Sequence, residues 1–271
     1  MKMAKTYTRK DILGYVRAIR MLTALCLVLA ITCVVLSVLL AKKPKENPVN
    51  PSIDSGSNVT TSSAPAKDKE AAALAKDLEN WNLVLVNAKS PLPEGHKIET
   101  EAIASAYARD KGMSFDKRAV DALNQMCAAA AKDEITLLAI SSYRPHERQQ
   151  VLFDRELNEV KAENPGISEE EAKKKAATEV AFPGTSEHEL GLAVDLNSVE
   201  QTFEHTKQFT WLSQYANDYG FVLRYPKDKE AITGIIYEPW HYRYVGVEHA
   251  KKMTALDMCL EEYIDYLKEN K

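Results

Sequence analysis

Four residues in the C-terminal half of the chain carry the side-chain types that metal-assisted hydrolysis uses. His188 and Asp195 lie in the run Ser186-Glu-His-Glu-Leu-Gly-Leu-Ala-Val-Asp195, and Glu238 and His241 in Glu238-Pro-Trp-His241. The two imidazoles and Asp195 make a set of three N/O ligands of the kind that holds Zn²⁺ and leaves a fourth position for water. Glu238 is the extra carboxylate. A structural zinc site is normally closed by four protein ligands and needs no base, whereas a hydrolytic site needs a spare carboxylate beside the metal-bound water. Spacing permits this assembly without forcing it. A lone His or Asp is more often an ordinary surface or core residue, and His96, His146, His205 and His249 are read that way.

The elements that would position these groups are legible from periodicity. His188 falls in a polar loop, and Asp195 lies in a strand read over residues 192–196, so a bend at Gly191 would bring both side chains to one cation. Upstream, Val120, Leu123, Met126, Cys127 and Ala130 recur at spacings of three and four, which predicts an amphipathic helix over 116–132. A β-type run follows at 135–142, then a turn at Tyr143-Arg-Pro145 and a helix over about 145–162. Asn164-Pro-Gly166 breaks that helix, and Ser168-Glu-Glu-Glu171 has the form of a capping box. Pro183-Gly184 ends the next element. Residues 209–217 read as a short helix, 221–225 as a strand, and 248–269 as one final helix with Met253, Leu256, Leu260, Tyr263, Ile264 and Leu267 on one face. Trp81-Asn-Leu-Val-Leu-Val-Asn87 reads as a short β-rich run. Strands and helices mix without βαβ regularity. The fold class expected is α+β, with a small, mainly antiparallel sheet flanked by helices.

The 271 residues allow one substantial domain plus accessory segments. Residues 21–41 contain no charge and, at ~1.5 Å per residue, span a hydrocarbon core of roughly 30 Å. They read as a transmembrane helix. Six Lys and Arg against Asp11 precede the run and three Lys follow it, which favours a cytoplasmic N-terminus with the remaining chain outside. The competing reading, secretion after signal cleavage, meets an apolar run longer than the usual h-region and no clear Ala-x-Ala site. Residues 42–79 form a linker, rich at its start in Pro, Ser, Asn and Thr, and the folded domain is expected over 80–271. Nine Lys and Arg against Asp11 give residues 1–45 a net +8, so with −4 for the whole chain the remainder carries −12. An acidic soluble portion argues against a nucleic-acid partner. Cys127 and Cys259 fall on apolar helical patterns and read as buried free thiols.

Three motifs in register add to this reading. Ser141-Ser-Tyr-Arg-Pro145, the run Gly184 to Leu196 around His188, and Glu238-Pro-Trp-His-Tyr-Arg-Tyr-Val-Gly246 resemble, in order and spacing, the VanY-like family of zinc D,D- and L,D-carboxypeptidases of peptidoglycan. The resemblance covers about residues 80–268. It implies that His188, Asp195 and His241 are zinc ligands, that Glu238 is the catalytic base, and that Arg144 faces the substrate as a cation. The expected substrates are peptidoglycan stem peptides. Many relatives carry His-Gln-x-Gly where this chain has His188-Glu189-Leu190-Gly191, a change between ligands that leaves the ligand set intact.

Ser142 and Ser186 flank motif residues and are candidates for substrate hydrogen bonds, although turn or cap roles suit Ser142 equally. Arg148, one helical turn after Arg144, reads as a structural or surface ion-pair residue. A serine carboxypeptidase is disfavoured, because Ser114-Phe-Asp-Lys117 matches Ser-x-x-Lys but no Lys-Thr-Gly occurs. Neither His-Glu-x-x-His nor Gly-x-Ser-x-Gly is present. The rival outside enzymes is a membrane-tethered wall-binding or sensory module that keeps a metal site without turnover. Retention of Glu238 and Arg144 tells against it, because binding alone needs neither. The sequence sets neither the oligomeric state nor the choice between D,D and L,D bonds.

Overall fold

Short strands and longer helices alternate along residues 75–271, which together with Ala73 are the part of the chain that the computed structural model describes. The apolar run at 21–41 and most of the linker lie outside the described residues. Among the described residues no helix is long and apolar enough to cross a membrane. The first two elements are 3-10 turns, Ala75–Glu79 and Trp81–Leu83. The second corrects the β-rich reading of 81–87. Leu83 N bonds back to Asn80 O, and the residues after it form no strand, only an isolated bridge between Asn87 and Ser90 across a turn.

Strands β1 (Thr100–Ala102) and β2 (Ser114–Asp116) pair antiparallel as a separate two-stranded sheet. Helix α1 (Val120–Lys132) then buries Val120, Leu123, Met126, Cys127 and Ala130, as their spacing predicts. Strand β3 (Ala139–Ser141) is shorter than the 135–142 run, since only its end meets a neighbour. Helix α2 (His146–Glu163) packs Phe153, Leu157 and Val160 against Ala172 and Ala176 of α3 (Glu169–Ala176). The capping box forms as read: Ser168 Oγ accepts from Glu171 N at 3.2 Å, and Glu171 Oε2 accepts from Ser168 N at 3.3 Å. Strand β4 (Ala193–Leu196), helix α4 (Lys207–Tyr215), strand β5 (Phe221–Leu223), the single turn α5 (Glu230–Thr233) and strand β6 (His241–Tyr244) follow. The chain closes on α6 (Val247–Leu256) and α7 (Leu260–Glu269). One continuous helix over 248–269 is therefore not what forms. Asp257 adopts a left-handed conformation with φ 53°, which stops α6. Glu262 Oε2 then accepts from Cys259 N at 2.9 Å and starts α7.

The main sheet is antiparallel throughout, in the order β3-β4-β6-β5. Its period of two sorts the side chains. Val194 and Leu196 of β4 and Tyr242 of β6 enter the main core beside Leu123, Met126 and Leu212, leaving Asp195 and His241 on the opposite face. Those two residues are direct cross-strand partners. Between β3 and β4 the register shifts, so that Ala139 faces Leu196 while Ser141 faces Asp195. This irregularity turns Ser141 away from the core and toward the face that carries Asp195. A second cluster of Ala250, Met253, Leu260, Tyr263 and Leu267 holds α6 and α7 together with Ala75, Leu83 and Val245.

Candidate active site

Each candidate side chain arrives from a different element, and local geometry explains each arrival. Asp195 is fixed by β4, and His241 opens β6 opposite it. Glu238 precedes β6 by one turn: His241 N bonds to Glu238 O at 3.2 Å, with Pro239 at the second position of the turn, where its fixed φ fits. The spacing Glu-Pro-Trp-His thus folds two functional groups onto one side. His188 comes from the loop before β4, which bends at Gly191 with φ 75°. A Cβ there would run into the Ile98 side chain, so glycine satisfies both the left-handed backbone and the close approach. Arg144 follows β3, and its N–H bonds to His188 O at 3.1 Å, tying the two loops.

The result is a buried cluster. His188, Asp195 and His241 are each 4–5% exposed and can place one ligand atom apiece within 4.8 Å of one another. His188 Nε2 lies 3.3 Å from Asp195 Oδ2, and His241 Nδ1 lies 3.3 Å from both Asp195 Oδ1 and Glu238 Oε2. His188 Nδ1 is 2.8 Å from Ser142 O. Since a carbonyl only accepts, Nδ1 carries the proton and Nε2, beside Asp195, keeps its lone pair free for a cation. Asp195 Oδ1 is buried and meets no donor in hydrogen-bond geometry. Two imidazole nitrogens and a carboxylate turned inward around such an oxygen fit a divalent cation with N/O preference, the donor set of a catalytic zinc centre.

Electrostatics separate the groups. Burial alone would raise the Asp195 carboxyl, but His188 and His241 outweigh it and hold the group well below the usual carboxylate range. Burial, reinforced by the Arg144 charge, lowers the His188 imidazole. His241 goes the other way. Burial opposes its charge, yet the facing carboxylates of Asp195 and Glu238 lift it to about 9. Burial raises the Glu238 carboxyl against the pull of His241, so this carboxylate holds a proton more readily than Asp195 does.

Arg144 is held rather than free. Its Nη1 donates to Gln149 Oε1 at 2.7 Å and its Nη2 to Ser141 Oγ at 2.8 Å, which leaves the guanidinium 4.0 Å from Asp195. Gln149 is fully buried and in turn donates to Ala181 O at 2.6 Å. Ser142 contributes its backbone carbonyl to His188, and Ser186 Oγ accepts from His188 N at 3.3 Å, so both serines shape the histidine's loop. Both also line the cleft. That cleft, of about 770 Å³, opens over His188, Asp195, Glu238 and His241. Its wall includes the cations Arg109, Lys111, Arg148 and Arg155 and the apolar side chains Leu152, Val199, Ile235 and Ile236. Arg148 lines the same cleft as Arg144, is exposed and makes no ion pair among the described residues, so the ion-pair alternative read for it does not form.

A family model described as VanY: D-alanyl-D-alanine carboxypeptidase matches residues 112–247, a span that contains Arg144, His188, Asp195, Glu238 and His241. The chain belongs to the VanY family. A D-alanyl-D-alanine carboxypeptidase of Enterococcus faecalis is 38% identical over 219 residues, which cover 80% of this chain and 79% of that protein. Two solved structures are similar to this chain. One is a mutant of the vancomycin resistance D,D-pentapeptidase VanY from a VanB-type resistance cassette, in complex with Zn(II). It is 40% identical, with a TM-score of 0.59, and the match covers 68% of this chain and 99% of that one. The other is the LD-carboxypeptidase LdcB, 36% identical with a TM-score of 0.60 over 69% of this chain and 87% of that one. The structure brings the sequence-predicted His188, Asp195, Glu238, His241 and Arg144 together at this one cleft. The sequence pattern did not single out Gln149, which braces Arg144. Gln149 had one signal, a polar residue four before Phe153 on the buried face of α2.

Proposed function

We propose that this chain is a zinc-dependent carboxypeptidase that removes the C-terminal D-alanine from peptidoglycan stem peptides, tethered outside the cytoplasm by residues 21–41. The observation that carries this reading is one buried constellation: His188, Asp195 and His241 turned inward, Glu238 spare beside them, and Arg144 braced at the same cleft. His188 Nε2, Asp195 and His241 Nδ1 would hold the metal. Zinc bound there supplies Lewis acidity and lowers the pKa of a water toward ~7. Glu238, whose carboxyl burial raises, takes the proton of the attacking water and passes it to the leaving amine. The Arg144 guanidinium, fixed by Gln149 and Ser141, stabilises the negative charge that grows on the peptide carbonyl oxygen. Ser142 and Ser186 lie within the cleft wall for hydrogen bonds to the peptide. Arg148 and Lys111, cations without ion-pair partners among the described residues, suit the free carboxylates of the substrate.

The family and its D-alanyl-D-alanine relative favour the D,D bond, and the likeness to LdcB supports an L,D activity as second reading. Defined pentapeptide and tetrapeptide stems separate the two. The expected result is loss of one alanine from the pentapeptide, seen by mass, and no such loss with Glu238→Ala. Cleavage that persists unchanged in Glu238→Ala removes Glu238 as the base. Binding of stems by the wild type without cleavage of either would favour the wall-binding module.

A further inference from the structure

Behind the site lies a closed set of charged side chains. Glu187, the residue before His188, is 1% exposed, and Arg224 and Arg243 beside it are 1% and 0%. Glu187 Oε1 accepts from Arg224 Nε and from Arg243 Nη1, both at 2.7 Å. One oxygen thus takes both arginines. Each arginine is anchored elsewhere as well: Arg224 on Glu261 of α7 at 2.8 and 2.7 Å, Arg243 on Asn82 O and Val84 O at 3.0 and 2.8 Å. The second oxygen, Glu187 Oε2, is buried without a hydrogen-bond partner. It faces His241 Nε2 at 3.9 Å, and that nitrogen is also buried and without a hydrogen bond. A shift of under ~1 Å closes this gap to hydrogen-bond length.

His241 presents Nδ1 to Asp195 and Glu238, so its proton has to sit on Nε2 for Nδ1 to act as a ligand. His188 achieves its own tautomer through Ser142 O. We infer that Glu187 is the matching positioning residue for His241: its Oε2 accepts the Nε2–H, keeps Nδ1 unprotonated and so sets the affinity of the site for zinc. This rests on the zinc reading above. Carboxylates in this relation to a ligand histidine fix its orientation and raise its basicity.

Glu187→Gln tests it sharply. Because Oε1 is claimed by two arginines, a glutamine keeps its oxygen there and turns its amide N–H toward His241 Nε2, a donor against a donor. The imidazole must then move its proton to Nδ1 or swing away. Zinc affinity of the full-length protein, measured by competition with a chromogenic chelator, is expected to fall about 10- to 100-fold. Glu261→Gln loosens the same arginine network without touching the Glu187–His241 contact, so it is expected to lower Tm and leave zinc affinity unchanged. In zinc-loaded wild type, the ¹⁵N spectrum of labelled histidine is expected to show His241 protonated at a hydrogen-bonded Nε2. That measurement decides the matter even where Glu187→Gln fails to fold. Wild-type affinity in a folded Glu187→Gln, equal losses in both variants, or a His241 Nε2 without a hydrogen bond would overturn the inference. Failure of wild type to bind zinc, or binding unchanged by His188→Ala, would instead overturn the zinc reading itself.

Discussion

Arg144 shows how one side chain acquires a task. Its guanidinium spends two donors on Gln149 and Ser141, and what remains points at the face shared by Asp195 and Glu238. A lysine at this position keeps the charge but has no planar fork with which to satisfy both supports and still meet the substrate. Arg144→Lys is therefore expected to lower kcat by a factor of ~10² to 10³ with a smaller change in KM, read from steady-state cleavage of a pentapeptide stem. A loss confined to KM would make Arg144 a binding residue instead. Residue types in register revealed Arg144, His188, Asp195, Glu238 and His241, because the chemistry demands those types. Glu187 and Gln149 were not legible in that way. Glu187 acts on arginines 37 and 56 positions away, and Gln149 reaches a carbonyl 32 positions away, contacts that no local pattern encodes.

At the level of elements, helices proved more readable than strands. The apolar spacing of α1 and the capping box of α3 specify themselves locally, and the structure shows both. Strands β1, β2, β3 and β5 have only three residues each, too few for a period of two to stand out. The register shift in β3 and the left-handed Asp257 that divides α6 from α7 depend on tertiary pairing and capping, so the sequence pattern ran straight through them. Helix α1 carries a consequence for pH. Burial pushes the Cys127 thiol from 9.0 up to about 12. The folded state therefore resists thiol ionisation that the unfolded state permits. Below pH 9 this group leaves stability unaffected, and between about 9 and 12 it removes up to about 1.4 kcal/mol per pH unit. Cys127→Ala is expected to flatten that alkaline limb in urea titrations. An unchanged slope would show that Cys127 does not titrate with unfolding.

For the molecule as a whole, charge and hydrophobicity divide at one place. A net +8 over residues 1–45 and −12 beyond them fit the proposed arrangement of a membrane anchor, a linker and an acidic domain facing the wall. Deleting residues 1–66 is expected to move the protein from the membrane pellet to the supernatant while preserving cleavage of soluble stem peptides. Retention in the pellet would contradict the anchor and leave the site untouched. The central claim is that His188, Asp195 and His241 hold a zinc ion on which turnover depends, with Glu238 as the base. The most direct test is to dialyse the purified protein against a chelator, follow release of D-alanine from a pentapeptide stem, and restore zinc in stoichiometric steps. Activity should vanish on chelation and return in proportion to the first equivalent of zinc, and Glu238→Ala should bind that equivalent yet stay inactive. Release of D-alanine that is indifferent to chelator and zinc alike would contradict the account.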